Sequence, residues 1–121
     1  MAKDDYDVIV YRILVYYYAL MKRKIVFEET TFYESVKKNV ENDQYFADIL
    51  RLMQDEELLQ GLSYVKAWGG DYILVSNLRE AKITAKGIHY LKDNSKMKQV
   101  GEKLKEAADI IATLAGIIKP F

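Results

Sequence analysis

The chain has no cysteine, one histidine and one proline among its 121 residues. Without cysteine there is no disulfide framework and no thiolate chemistry, and a single histidine excludes a site built from clustered imidazoles. No apolar run is long enough to span a bilayer. Excess charge is also missing, because 18 lysine and arginine residues balance 18 aspartate and glutamate residues. Dedicated nucleic-acid binders are more often basic overall, so composition gives DNA binding no support.

The sequence also lacks the motifs of the common enzyme classes. It contains no nucleophile elbow, no phosphate-binding loop and no Rossmann glycine pattern. His89 has no Ser, Asp or Glu placed beside it by the sequence, so a general-base role is not indicated. The acidic run at residues 55–57 is typical of a solvated helix end. We therefore expect no enzymatic activity, no cofactor and no metal site.

The remaining composition is that of an ordinary globular domain. Half of the residues are hydrophobic, which argues against a disordered chain, and 121 residues suffice for one modest core. Asp4 and Asp5 stand where a secretory signal carries basic residues. We expect a cytoplasmic protein with no membrane contact.

Apolar periodicity predicts a first helix over residues 5–22, followed by a short strand over residues 24–27. The helix ends in a basic triplet, Lys22, Arg23 and Lys24. Cations are favourable at the negative end of a helix dipole, so this triplet has a structural explanation, which we favour over a phosphate contact.

Two further helices are predicted close behind the first. Thr31 and Glu34 form a capping box that opens a second helix, which runs to about Val40. A third helix follows over residues 42–59 after a tight connection, as in a helix-turn-helix. The candidate N-cap residues of this third helix are Asn42 and Asp43.

The second half of the chain predicts a hairpin and a fourth helix. Residues 63–68 and 72–76 are rich in aromatic and β-branched residues, and Gly69-Gly70 between them supplies the positive φ of a tight turn. Thr84 is the predicted N-cap of the fourth helix. The order helix, helix, helix, hairpin, helix predicts a mostly helical α+β fold, a winged helix-turn-helix with a small antiparallel wing hairpin.

A long final helix is predicted over residues 96–119, packing on a winged-helix domain formed by residues 1–95. A heptad seam runs along it, with further apolar residues on its other faces. Exposed apolar surface of this extent is rare on a small protein, so we expect a homodimer. The expected dimer interface comprises Ile110, Ile111, Leu114, Ile117, Ile118 and Phe121.

Two segments resemble the YjcQ-like winged-helix family, small proteins of Gram-positive bacteria and their phages. The first is Asp55-Glu56-Glu57-Leu58-Leu59-Gln60-Gly61, followed by the Gly-Gly turn. The second begins Ile83-Thr84-Ala85-Lys86-Gly87-Ile88-His89-Tyr90-Leu91. The likeness covers roughly residues 5–118 and is best over residues 42–95. It implies a winged-helix fold, a phage or mobile-element setting, and DNA binding by fold analogy.

Two functions remain open. The first is a dimeric transcriptional regulator that binds DNA, although the predicted recognition helix carries five acids and a single base, Arg51. The second is a winged helix reused for protein–protein contact, with the final helix and the tyrosine-rich first helix as its contact surfaces. In the first case the candidate nucleic-acid-binding residues are Lys37, Lys38, Arg51, Lys66, Trp68, Arg79 and Lys82, with Lys86 as a further phosphate contact.

Overall fold

A computed structural model describes residues 5–120 of the chain. Its secondary structure is mostly helical, with short antiparallel strands between the third and fourth helices. In chain order the elements are α1 (Tyr6–Met21), α2 (Glu29–Ser35), α3 (Asp43–Asp55), β1 (Leu59–Gln60), β2 (Tyr64–Lys66), β3 (Tyr72–Leu74), a 3-10 turn (Leu78–Glu80), β4 (Lys82–Ile83), α4 (Ala85–Asp93), α5 (Ser95–Glu106) and α6 (Ile110–Ile118). This order confirms the predicted α+β, winged-helix fold.

Helix α1 is the central element of the core. Twelve of its 16 residues are buried, and it contacts α3, α4, α5, α6 and β4. Its tyrosines are part of this core: Tyr16 and Tyr17 are fully buried and pack edge-on against each other, and both rings contact Phe32. The suggestion that a tyrosine-rich first helix offers a contact surface is therefore wrong, because its aromatic rings fill the interior.

The segment around α2 differs from the prediction in three respects. Residues 24–27 pair with no strand among the described residues. Helix α2 begins one turn earlier than expected, since the Glu28 carbonyl already accepts from the Phe32 amide at 2.9 Å. Thr31 therefore lies inside the helix and is not its cap. The helix also ends before Val40, and the turn that follows contains Asn39 in a left-handed conformation with φ 68°.

Helix α3 and the hairpin match the sequence, except that α3 ends at Asp55 and not at Leu59, which lies in β1. Asn42 caps α3 by accepting from the Tyr45 amide at 2.9 Å. Strands β2 and β3 are antiparallel, with Val65 opposite Ile73, and the turn contains Gly69 and Gly70 at φ 89° and 92°. Strands β1 and β4 pair at the base of the same hairpin, and we call the whole ribbon the wing.

The start of α4 is bound to the end of α3. Thr84 accepts from the Gly87 amide at 2.9 Å, and its hydroxyl donates to the Glu57 carbonyl at 2.5 Å. Gly87 lies against the Leu58 carbonyl so closely that no side chain fits there. The Thr-x-x-Gly pattern is thus a structural junction, with Thr84 as the predicted cap.

The predicted continuous final helix is wrong, because the chain breaks between α5 and α6. Ala108 adopts a left-handed conformation at φ 53°, and Asp109 begins a new helix by accepting from the Ile111 amide at 2.9 Å. Five residues of the predicted heptad seam are nevertheless buried, on the two shorter helices α5 and α6. Its buried members all face the core and are Met97, Val100, Leu104, Ile111 and Ile118, joined by Ala115.

A buried arginine fixes this break. The guanidinium of Arg12 donates to both carboxylate oxygens of Asp109, at 2.7 and 2.8 Å, and to the Ser35 carbonyl at 3.1 Å. One side chain therefore joins α1, the end of α2 and the start of α6. Within the described part of the chain, no helix combines the length and apolar character needed to cross a membrane.

Candidate functional site

The outward face of α3 is acidic, and its only base is engaged within the chain. Four residues lie opposite the buried stripe of this helix, namely Gln44, Asp48, Arg51 and Asp55. Arg51 pairs with Asp55 at 3.2 Å and stacks over the Tyr72 ring at 4.7 Å. Gln44 donates to Asp48 and to the Tyr72 carbonyl, both at 2.9 Å. A helix that reads a DNA groove needs basic anchors, and this face offers no uncommitted one.

The wing packs against α3 through a set of specific hydrogen bonds. Gln54 exchanges two bonds of 2.9 Å with the backbone of Leu62. The Tyr64 hydroxyl donates to the Ala47 carbonyl at 3.2 Å, and burial raises the pKa of Tyr64 to about 12. The inner face of the wing therefore holds α3 through Tyr64 and Leu74, whereas Lys66 and Tyr72 near the turn remain exposed.

The outer face of the wing is apolar. Val65 and Ile73 form an exposed cross-strand pair, and Val75 follows on the same side two residues beyond Ile73. Trp68 is fully exposed at the tip. We call these four residues the outer wing face. An apolar strip on a two-stranded ribbon, with the opposite side already packed, is typical of a protein-contact surface.

The seven candidate nucleic-acid-binding residues are divided among several environments. Lys37 pairs with Asp43 at 2.5 Å and lies over the Tyr33 ring at 5.5 Å. Lys38 and Lys66 are exposed cations with no ion pair to another described residue, and Lys86 is likewise exposed. The other four are Arg51 in its pair with Asp55, Trp68 at the wing tip, and Arg79 and Lys82 in a separate groove.

This groove lies between the C-terminal end of α1, the loop after it and the base of the wing. Its volume is about 890 Å³. Four cations line it and no carboxylate does, so we call it the basic groove. The cations are Arg23, Lys24, Arg79 and Lys82.

The expected dimer residues fall into three groups. Ile110 and Ile117 are 47% and 51% exposed on the outer side of α6, with Leu114 half-buried between them. Ile111 and Ile118 are fully buried against the chain's own core, so placing them in a dimer interface is wrong. Phe121 lies outside the described residues.

Comparison with known proteins supports a family assignment. The family model described as YjcQ protein matches residues 11–110. The chain belongs to the YjcQ family. No curated protein and no solved structure is significantly similar to it. The family match runs from Tyr11 within α1 to Ile110, the first residue of α6, and thus covers both the wing and the basic groove of this YjcQ member.

Sequence reasoning missed two features of this YjcQ family member. The Arg12–Asp109 pair joins residues 97 positions apart, and no local pattern indicates it. Arg23 and Lys24 were explained by the helix dipole alone, yet they line the basic groove. Lys22, the third residue of the basic triplet 22–24, does interact with a helix C-terminus. Its ammonium donates to the carbonyl of Ile118, the last residue of α6, at 2.6 Å.

Proposed function

We propose that the protein is a winged-helix interaction module that binds another protein through its outer wing face. The observation that supports this most directly is the exposed Val65–Ile73 pair on a ribbon whose other side is already packed on α3. Leaving such a strip in water is unfavourable by roughly 25 cal/mol for each Å² of apolar surface, and a partner removes that surface from water. An enzymatic role is not part of this proposal.

The acidic outward face of α3 supports the same conclusion. Asp48 and Asp55 lie where a DNA-binding protein presents lysine and arginine side chains. The charge of Arg51 is neutralised by its ion pair with Asp55. Phosphates on both sides of a major groove repel carboxylates. The lack of a free basic residue on this face of α3 therefore favours a protein partner over DNA.

A photo-crosslinking residue at position 73 tests the proposal in cells that express the protein. We expect one discrete crosslinked species, which disappears when Val65→Glu is added. The same crosslinker at Lys98, an exposed position on α5, is the matched control. Crosslinking that is equal at both positions, or that survives Val65→Glu, would count against a specific wing partner.

DNA binding as a transcriptional regulator is the second candidate, and the exposed Lys38 and Lys66 favour it. Two phosphate contacts give a slope of log affinity against log salt of about −1.8, at about −0.9 for each contact. Fluorescence anisotropy with a short duplex measures this slope. DNA binding that is sequence-specific, resists salt and persists in Lys38→Gln/Lys66→Gln would show that the protein has a DNA site away from these two lysines. It would also overturn the proposal that the wing serves protein contact.

A further inference from the structure

The basic groove has the size and shape of a small-molecule site. Its volume of about 890 Å³ lies in the usual range for such pockets, which is about 300–1,000 Å³. It is a separate surface from the outer wing face, because none of the four residues that define that face lines it.

The floor of the groove is mostly aliphatic and is held in place by the core. It consists of half-buried and buried side chains that pack on the core, namely Leu20, Ile25, Phe27, Ala81 and Ile83. Behind them the buried Tyr17 hydroxyl donates to the Leu78 carbonyl at 2.8 Å, which fastens the wing base to α1. Burial raises the pKa of Tyr17 far above its ordinary value, so the hydroxyl keeps its proton. The groove is therefore preformed.

The cations around the groove have no anionic partners within the described chain. Arg23, Lys24, Arg79 and Lys82 form no ion pair with any described residue, and only Arg79 has a ring contact, over Phe27 at 5.5 Å. This differs from Arg12, Lys37 and Arg51, each of which pairs with a carboxylate. Four like charges around one groove repel each other, and an anion in the groove relieves that repulsion.

The backbone at Arg23 follows from the end of α1. Arg23 has φ 61°, and the amides of Arg23 and Lys24 donate to the carbonyls of Leu20 and Ala19 at 3.1 and 3.0 Å, which is a common left-handed end of a helix. Glu57 follows α3 in the same conformation, at φ 63°. This helix end brings the side chains of Arg23 and Lys24 to the groove.

We propose that the basic groove binds a long-chain carboxylate, with its head among the four cations and its chain on the aliphatic floor. Arginine is suited to a carboxylate because its planar fork donates two parallel hydrogen bonds. The mostly aliphatic floor favours an alkyl chain over a nucleotide base, because of the two aromatic rings that line the groove Tyr17 is buried and Phe27 already lies under Arg79.

Isothermal titration of the full-length protein with dodecanoate, below its micelle-forming concentration, tests this proposal. We expect saturable binding of dodecanoate and none of dodecyltrimethylammonium, which has the same chain and the opposite charge. Acetate, which has the head without the chain, is expected to bind too weakly to detect. Amide chemical shifts should change at residues 23–27 and 79–83. Equal binding of both dodecyl compounds would show that charge plays no part and would overturn the proposal.

A pair of double variants locates the site. Arg79→Gln/Lys82→Gln removes two cations from the groove, and Lys38→Gln/Lys66→Gln removes two elsewhere, so the two proteins have equal net charge. We expect the groove variant to weaken dodecanoate binding about tenfold or more, which is about 1.4 kcal/mol, and the control to leave it unchanged. Equal weakening in both, shifts confined to the outer wing face or α6, or no binding by the wild type would each overturn the proposal. None of these results bears on the wing partner.

Discussion

The Arg12–Asp109 pair is the place where one substitution should do most damage to the fold. The Arg12 side chain is 1% exposed and that of Asp109 is 12% exposed, so the charge of each is compensated almost entirely by the other. Asp109→Ala leaves the Arg12 cation buried with only the Ser35 carbonyl as an acceptor. It also removes the cap of α6.

The expected loss follows from these contacts. Removing one partner of a buried ion pair costs about 3–5 kcal/mol. Losing an N-cap costs about 1 kcal/mol more. Since small domains have a total stability of only about 5–15 kcal/mol, Asp109→Ala should approach global unfolding at room temperature.

Urea denaturation followed by far-ultraviolet circular dichroism measures this loss, with Asp55→Ala as the matched control. Asp55 also pairs with an arginine, but its side chain is 62% exposed, so its removal should cost less than about 1 kcal/mol. In Arg12→Met/Asp109→Ala the buried cation is gone, and we expect part of the stability to return. If Asp109→Ala costs no more than Asp55→Ala, or if Arg12→Met restores nothing, the reasoning about this pair is wrong.

The same pair predicts a pH dependence with a defined sign. Burial tends to raise the pKa of Asp109, but hydrogen bonds from Arg12 and the Ile111 amide, with the charges of Arg12 and Lys38, outweigh it and lower the pKa. A carboxylate with a lowered folded pKa stabilises above its unfolded pKa of about 3.9 and loses that contribution as pH falls through the folded value. The stability difference between wild type and Asp109→Asn should therefore be constant near neutral pH and shrink in acid.

Three further predictions concern other parts of the fold. Ala108→Gly should stabilise the protein by up to about 1 kcal/mol in urea denaturation, because glycine relieves the left-handed strain, whereas Ala107→Gly should destabilise it. Gly87→Ala should cost about 1–3 kcal/mol by the same measurement, since the added methyl meets the Leu58 carbonyl; a neutral result would contradict the tight junction. Sedimentation equilibrium should show a wild-type dimer and an Ile110→Glu/Ile117→Glu monomer. A monomeric wild type would rule out self-association through α6.

The features that the sequence predicted correctly depend on neighbouring residues. Asn42 and Thr84 cap their helices through bonds to amides three residues ahead, and Gly69-Gly70 makes a turn wherever two strands flank it. Each of these features involves residues at most a few positions apart, so a short stretch of sequence contains all of the residues that form it. The helices and the hairpin, and with them the winged-helix order, could therefore be predicted.

The features that were predicted wrongly depend on distant residues. Residues 96–119 have a good helical pattern throughout, and the break at Ala108 is fixed by Arg12, which lies almost a hundred positions away. The basic groove likewise forms only when the end of α1 meets the base of the wing. Two pairs of cations that lie more than fifty positions apart in the sequence then share one site. Sequence separation, more than chemistry, limited the prediction.

The burial of α1 on all sides has a consequence for how the protein is made. Within residues 5–120 this helix is synthesised before α4, α5 and α6, which cover much of it. Until they arrive, its valines, isoleucines and leucines remain available for wrong contacts, and nascent chains with such exposure are prone to aggregate. Completion of the fold must therefore wait for the C-terminal helices. A chain truncated after α5 should depend on chaperones or precipitate, because the cover of α1 is then incomplete.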